Sequence, residues 1–320
     1  MKKKIHPAFF LFGALVFLLI APPVLGALKA DILVGFGISC LFAVSLNLLL
    51  ETGLFSLGHA LFFGIGAYST GMGLFYIEGL PLVPAVLLGG SAAGLAGLLF
   101  SPLLLRAGGI YFTLLTVALN QILYSSCLKF SEITGGETGF SNFPIPSLDV
   151  FGLASFPMEN KVSFYYFALV TIILSIWLMW FITKTPFGGI MLAIRDNPER
   201  VPYLGYWMQG NKILILVISG FFAGIAGALN ALWLNLVDPS SLHLVNVSFK
   251  TFLAILVGGL GTFSGPFIGV GIFLLFGELV VTCGRAAEMA ILSITIIYLL
   301  YAPKYTPWGV IGIYQKIRSI

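Results

Sequence analysis

Charged side chains are scarce in this sequence. Only 9% of its 320 residues are Asp, Glu, Lys or Arg, whereas 59% are hydrophobic and the mean hydropathy is +1.05. A soluble domain carries roughly 25% charged residues, so there is too little polar material here to cover a water-facing globule. The net charge of +4 is too small to indicate nucleic acid or an acidic partner. The composition predicts a polytopic membrane protein.

Cysteine and histidine are also rare. The cysteines lie in apolar runs without CxxC or CxxH spacing, as packing residues do, at Cys40, Cys127 and Cys283. This pattern indicates neither a disulfide framework nor a metal site. The three histidines are far apart in sequence, at His6, His59 and His243. A metal site would require them to converge with carboxylates, so no metal is expected.

Catalytic motifs are missing as well. The sequence has no GxxxxGK[ST] phosphate loop, no HExxH and no GxSxG, and the glycine-rich Gly258–Gly265 lacks the phosphate-loop lysine. We therefore expect no enzyme activity, no ATP hydrolysis and no cofactor in this chain. Among the ionisable residues, Glu278 alone lies several residues inside a predicted span. The absence of a central charge relay argues against an ion-coupled carrier.

Long apolar runs dominate the chain instead. Each is near the roughly 20 residues that a helix needs to cross hydrocarbon, and none shows the period-two alternation of a barrel strand. They predict an all-α membrane protein, with one domain over residues 1–320 and about ten transmembrane segments, near 8–26, 31–50, 58–77, 82–105, 109–129, 162–183, 213–236, 247–262, 264–283 and 286–303. The first run is expected to remain attached as a helix. The glycine-rich stretches near 50–70 and 247–270 are candidates for broken or re-entrant helices, which leaves the count open by one or two.

Lysine and arginine predict the orientation. With the N-terminus inside, eleven of the sixteen basic residues fall on the cytoplasmic side, and the opposite orientation would invert that ratio. Both termini and the loop over 184–212 are then cytoplasmic, and the loop over 130–161 is external. Glycines recur within the spans, in AGLAG (Ala93–Gly97) and AGIAG (Ala223–Gly227), and predict close approach of helix backbones.

The stretch Thr185–Lys212 is the longest polar interruption in the second half of the chain. Thr185 is suited to cap a helix that starts at Pro186, and Asn197 is suited to cap a second that starts at Pro198, with Gly205 as its end. Pro202 requires the second helix to be short or bent. Composition leaves two alternatives open, a solvated linker and an elbow on which another subunit docks.

Four ordered blocks of sequence, together covering roughly residues 40 to 280, resemble the permease subunit of branched-chain amino-acid ABC importers of the LivM type. They are Asn47-Leu48 with Gly53-Leu54, Ser56–Ala60 and Phe62–Tyr68; Tyr111–Thr116 with Thr134–Gly136 and Gly139; Pro186–Gly188 with Ala193–Asn197 and Leu204-Gly205; and Ala223–Ala228 with Gly258–Thr262 and Gly265-Pro266.

The resemblance implies a subunit of a larger machine in the bacterial inner membrane. Its partners would be a second permease subunit, two cytoplasmic ATPases that bind ATP and magnesium, and a periplasmic solute-binding protein. The ATPase-coupling residues would be Pro186, Phe187, Gly188, Arg195, Asp196, Glu199, Arg200 and Gly205. The translocation pathway would include Ser56, Gly58, His59, Gly259, Gly261 and Ser264. The external loop would carry Thr134, Gly135, Gly136 and Gly139.

The same resemblance leaves the solute open. Branched-chain amino acids are expected first, because permeases of this type serve leucine, isoleucine and valine systems. Urea and short amides are the alternative, since closely similar permeases serve them. A passive channel for a small neutral solute would need no ATPase. A lone histidine such as His59 is more often a packing residue than part of a pathway, so both interpretations of His59 are kept.

Overall fold

The computed structural model describes residues 27–106, 108–150, 154–158 and 160–283. The predicted spans near 8–26 and 286–303 and both chain termini lie outside the described residues. The helices are α1 (Ala27–Glu51), α2 (Ala60–Tyr76), α3 (Leu82–Leu104), α4 (Ile110–Lys129), α5 (Ser131–Thr134), α6 (Lys161–Lys184), α7 (Pro186–Asp196), α8 (Met208–Leu234), α9 (Lys250–Gly258) and α10 (Gly265–Cys283). Short 3₁₀ turns cover Pro202–Leu204 and Pro239–Leu242, and a π-helix covers Leu244–Phe249.

Five described helices are long and apolar enough to cross a membrane: α1 from Asp31, α3, α4, α6 and α8. Three further predicted segments form shorter apolar helices, namely α2 with 17 residues, the stretch Leu244–Gly258, and α10 from Gly265. The helical class is confirmed in these parts of the chain, whereas the total of ten spans stays a prediction.

The two glycine-rich stretches are indeed interrupted. Residues 52–59 separate α1 from α2, and residues 259–264 separate α9 from α10. Gly53, Gly259 and Gly261 have φ angles of 81°, 126° and 74°, in the region that glycine adopts without steric cost. Non-helical backbone at membrane depth is tolerated where protein surrounds it or a cavity adjoins it. These two breaks are therefore the parts of the bundle that position a candidate site.

A seam of small residues joins the helices at the centre of the fold. A Cβ built at Gly224 of α8 would lie 2.5 Å from the Cβ of Ala93 and 2.7 Å from the carbonyl oxygen of Gly89, both in α3. A Cβ at Gly227 would overlap the carbonyl oxygen of Phe63 in α2. The predicted close approach of glycine-containing helices is confirmed, and it explains why α2, α3 and α8 pack as one unit.

The predicted cytoplasmic and external loops lie at opposite ends of the bundle. At one end, the Nζ of Lys161 donates to Asp31 at 2.5 Å, which links the start of α6 to the start of α1. At the other end, Glu51 of α1 lies within electrostatic range of Lys184 and Arg195. We call these the Asp31 end and the Glu51 end. The compartment that each end faces stays a prediction.

The loop over 130–161 is less simple than an all-helical fold suggests. Strand β1 (Phe140–Ser141) pairs antiparallel with β4 (Leu236–Val237), and β2 (Leu148–Val150) pairs with β3 (Ala154–Phe156). The backbone N–H of Asn142 also donates to the carbonyl oxygen of Asn235. Both ladders satisfy backbone groups that no helix takes up, and the β1–β4 ladder anchors the loop to the end of α8.

Candidate functional site

Helix α7 begins as the sequence predicts. Pro186 is its first residue and Thr185 is the N-cap by position. The Thr185 hydroxyl, however, donates to the carbonyl oxygen of Ile182 at 2.7 Å and caps no N–H of α7. A Cβ at Gly188 would overlap the carbonyl oxygen of Thr183, so glycine is required where the chain turns from α6 into α7.

The prediction of a second helix from Pro198 is wrong. Residues 198–201 form turns, and a 3₁₀ turn follows at Pro202–Leu204. The Asn197 side-chain oxygen accepts the N–H of Arg200 at 3.2 Å, which closes a turn and starts no helix. Pro202 lacks an N–H and its ring disfavours an α ladder through this stretch, which explains the difference. Gly205 ends the 3₁₀ turn at φ 82°, as predicted.

Helix α7 and the following turn have one covered and one open face. Gly188, Met191 and Ile194 are buried. The open face carries most of the predicted coupling residues, because Pro186, Arg195, Asp196, Glu199, Arg200 and Gly205 are all exposed, and Phe187 is half-buried. The Nε of Arg195 donates to Asp196 at 3.1 Å.

Sequence reasoning missed the apolar part of this open face. Directly after the charges, Tyr203, Leu204, Tyr206 and Trp207 are exposed, with 90% of Tyr203 and 73% of Trp207 accessible. Large exposed aromatic side chains beside charges are typical of interaction surfaces. The signal was present in the sequence as YLGYW inside a polar interruption. We call residues 186–207 the elbow.

The elbow packs directly on the first break. Gly53 lies against Arg195, since a Cβ at Gly53 would be 3.4 Å from the Arg195 Cγ and 3.5 Å from its Cα. From there, contacts lead to the second break. The Asn47 Nδ2 donates to Glu51 at 2.9 Å and contacts the carbonyl oxygen of Thr262 at 3.4 Å. The end of α1 therefore joins the elbow to both breaks.

Residues of the first break are buried inside the bundle. His59 has no exposed surface. Its Nε2 lies 3.3 Å from the Ser45 hydroxyl and 3.4 Å from the Ser219 hydroxyl. Its ring packs against Phe42 and Phe62, with centroids 5.4 Å and 5.3 Å apart. In this conformation His59 links α1 to α8 as a packed polar residue.

The residues that precede His59 in the first break contact α4. The N–H of Gly58 contacts the Thr116 hydroxyl at 3.4 Å, and a Cβ at Gly58 would overlap the Thr116 carbonyl oxygen. The Thr113 hydroxyl donates to the Phe55 carbonyl at 2.6 Å. Ser56 is buried, and its hydroxyl has no hydrogen-bond partner among the described residues.

In the second break Gly259 is buried, Gly261 is half-buried and Ser264 is exposed. The structure thus brings the six predicted pathway residues to two breaks that flank the end of α1.

An open space of about 490 Å³ lies between α1, α2, α8, residues 240–254 and α10. It is within the roughly 300–1,000 Å³ range of small-molecule sites. None of the six predicted pathway residues lines it, but Phe42, which packs on His59, does. Its polar lining was not anticipated and consists of Ser39, Asn230, Ser240, Ser241, Asn246, Lys250 and Thr251. We call this space the central cavity.

A second space, of about 690 Å³, opens at the Asp31 end and is lined by Asp31, Lys161, Asn142 and Asn235 among others. The predicted external-loop residues do not line it. They shape the loop instead, since the Thr134 hydroxyl donates to the Cys127 carbonyl and the N–H of Gly135 caps α5 at φ 77°. Gly139 lies against Val237, and Gly136 has φ 63°. Within the described residues, no three His, Cys, Asp or Glu side chains form a group suited to a metal.

Known proteins give this geometry a context. A family model described as the permease component of the branched-chain amino acid transport system matches residues 28–300. The chain belongs to that family. The permease is 26% identical over 291 residues to the high-affinity branched-chain amino acid permease protein LivM of Escherichia coli. That alignment covers 85% of this permease and 66% of LivM, so the chain spans slightly less than two thirds of that relative.

Relatives with other named solutes also match. The permease is 30% identical over 150 residues to the guanosine ABC transporter permease protein NupQ of Bacillus subtilis, covering 44% of this chain and 46% of NupQ. It is 33% identical over 109 residues to the galactose/methyl galactoside import permease protein MglC of Escherichia coli, covering 34% and 30%. No solved structure matches the chain. The family is therefore established, whereas the relatives differ in the solutes that their names give.

Proposed function

We propose that this chain is the membrane permease subunit of an ABC importer that passes branched-chain amino acids into a bacterial cell. Its partners are a second permease subunit, two cytoplasmic ATPases that bind ATP and magnesium, and a periplasmic binding protein that delivers the solute. The family membership supports the subunit type, and the match to LivM over most of the chain supports the solute class.

One structural observation carries the proposal. The elbow presents charges and exposed aromatic rings on its open face, while Arg195 on the same helix packs against Gly53 of the first break. A surface that only contacted water would not need exposed tyrosine and tryptophan side chains. A docked ATPase covers that surface and pushes on α7 during its cycle. Arg195, Asp196, Glu199 and Arg200 make the charged contacts.

The movement then reaches the breaks through packed groups. Displacement of Arg195 shifts Gly53 and the end of α1, and Asn47 carries the shift from Glu51 to the carbonyl of Thr262. Both breaks adjust because they hold fewer helical hydrogen bonds than the spans around them. The bundle thereby alternates access from the two sides, and solute binding must be weak in the inward-open state for release to follow.

The experiment is uptake of labelled leucine, urea and glutamate by the complex purified from membranes and reconstituted with its binding protein. We expect ATP-dependent leucine uptake in the native complex. Charge reversal at Arg195→Glu with Arg200→Glu abolishes that uptake because like charges then meet at the docking surface. Lys129→Glu, at the far end of α4, serves as a charge-reversal control outside the elbow. Undiminished uptake by the double variant would refute the docking role.

A second candidate solute is a small neutral polar molecule such as urea or a short amide. It is supported by the matches to NupQ and MglC, whose named solutes are uncharged. Uptake of urea without leucine in the same assay selects this candidate. Uptake that continues without ATP selects a passive channel instead.

A further inference from the structure

Lys250 is a cation within an apolar stretch of the membrane domain. The stretch Leu244–Gly258 is apolar, and Lys250 is its one ionisable residue. Ser248, two residues before Lys250, is buried inside the bundle, where its hydroxyl accepts the N–H of Ala60 at 2.6 Å. Lys250 itself shares the central cavity with Phe42 of α1 and Phe63 of α2.

The Lys250 ammonium has no carboxylate beside it in the described part of the chain. The ion pairs found there are Asp31–Lys161 and Arg195–Asp196. An ionisable side chain in a membrane domain is costly to desolvate, so it is retained where it faces a polar cavity and serves a function. Lys250 satisfies the first condition, since it is exposed and opens into the central cavity.

The rest of the cavity complements one kind of solute. Lys250 is the one charged residue among its described lining residues, and the other polar groups are neutral amides and hydroxyls such as Asn230, Asn246 and Thr251. Apolar walls complete it, with Trp233 and Phe273 among them. A solute with one carboxylate and an aliphatic side chain matches this distribution. An uncharged sugar or nucleoside leaves the ammonium without a counter-ion.

We propose that the central cavity is a solute site and that Lys250 binds the solute carboxylate, so that Lys250 makes this permease selective for carboxylate-bearing solutes over neutral ones. This rests on the proposed importer function and adds to it the residue that distinguishes the two candidate solute classes. Neutral acceptors at Asn230 and Asn246 take the solute ammonium, and the aromatic walls take the side chain.

The first test is leucine uptake by the reconstituted complex carrying Lys250→Gln. We expect at least about a tenfold fall, because a charge-assisted hydrogen bond is lost. Lys250→Arg retains most of the uptake, since it keeps the cation. Lys129→Gln, outside the cavity, leaves uptake unchanged. Leucine uptake by Lys250→Gln at the native rate overturns the assignment.

The second test reads the local charge directly. Ser39 lines the same cavity and is exposed. In a background with Cys40, Cys127 and Cys283 replaced, Ser39→Cys is treated with an anionic and with a cationic methanethiosulfonate reagent. We expect the anionic reagent to react several-fold faster, and Lys250→Gln to remove that preference. Leucine slows the modification, whereas leucinamide, which lacks the carboxylate, does not. An equal reaction of both reagents with Lys250 present overturns the proposal.

Failure of the two proposals is distinguishable. If the native complex takes up no amino acid, the proposed function is wrong. If the native complex takes up leucine and Lys250→Gln does so equally, only the role of Lys250 is wrong. If Lys250→Gln no longer co-purifies with the other subunits, Lys250 is a subunit contact and the solute-site proposal is overturned.

Discussion

Gly227 occupies a position where any side chain would meet the backbone of another helix. Its missing Cβ makes room for the carbonyl oxygen of Phe63, and the N of Ala67 would lie 3.1 Å from that Cβ. Neither atom is the end of a flexible side chain, so neither moves without a shift of α2. Single residues of this kind determine how closely α2 and α8 approach.

Gly227→Ala is therefore expected to destabilise the protein by about 1–3 kcal/mol through overpacking. The measurement is the thermal unfolding midpoint of the detergent-purified protein. Gly73→Ala is the matched control in α2, because its Cβ would have no atom nearer than 3.4 Å. Alanine at that position gains helix propensity and is neutral or slightly stabilising. Equal midpoints for the two variants would contradict the close-packing account.

At the scale of elements, the end of α1 connects three segments that are distant in sequence. Arg195 of α7 contacts the turn at Gly53, and Asn47 bonds both to Glu51 and to the carbonyl of Thr262. The junction therefore places α7, the first break and the second break in one chain of contacts. Contiguous contacts of this kind are a physical route by which coupling between sites can be carried.

Asn47→Ala removes the side chain that connects the end of α1 to the second break while leaving the elbow surface intact. We expect the amount of leucine taken up per ATP hydrolysed to fall about fivefold, which corresponds to the loss of one hydrogen bond of about 1 kcal/mol. Uptake and phosphate release are measured in the same proteoliposomes. Ser126→Ala is the control, since its hydroxyl donates to the Ile122 carbonyl of its own helix. A full uptake-to-hydrolysis ratio in Asn47→Ala would show that coupling takes another route.

At the scale of the whole molecule, the elbow and the loop over 130–161 lie at opposite ends of the spans. The Asp31–Lys161 pair marks one end, and the electrostatic neighbourhood of Glu51, Lys184 and Arg195 marks the other. The distribution of basic residues predicts that the Glu51 end is cytoplasmic.

Membrane sidedness tests that orientation. In a background without the native cysteines, Glu137→Cys is expected to react with a membrane-impermeant maleimide in intact cells, and Glu199→Cys only after the inner surface is opened. Both positions are exposed in the structure, so access to the reagent depends on the compartment. Labelling of Glu199→Cys in intact cells would invert the orientation and remove the basis for ATPase docking.

Much of the arrangement could be predicted from local patterns. Apolar runs located the described helices within a few residues, because hydrocarbon imposes a length and satisfies no backbone groups. Pro186 predicted the start of α7 and Gly205 the end of the following turn, since both depend on intrinsic backbone preferences. The predicted second helix at Pro198 is absent because Asn197 and Pro202 together favour turns.

The candidate site was less predictable. The sequence left His59 either as a packing residue or as part of a pathway, and its complete burial between Ser45 and Ser219 depends on α8, which is far from it in sequence. Lys250 does not lie in a recognisable sequence motif. Its significance comes from the cavity beside it, which exists because residues from five segments surround the same space.

The sequence by itself determined that this protein is suited to a membrane, that two glycine-rich stretches are candidate breaks in its helices and that its ordered motifs resemble those of branched-chain amino acid permeases. These properties follow from composition, backbone preference and ordered motifs, all of which act locally. Only the tertiary structure decided that His59 is fully buried, that Arg195 of α7 contacts the first break at Gly53 while Asn47 links the end of α1 to the second break, and that Lys250 faces a cavity. Such contacts depend on how closely helices approach, and that distance is set by the fit of distant surfaces such as Gly227 against Phe63.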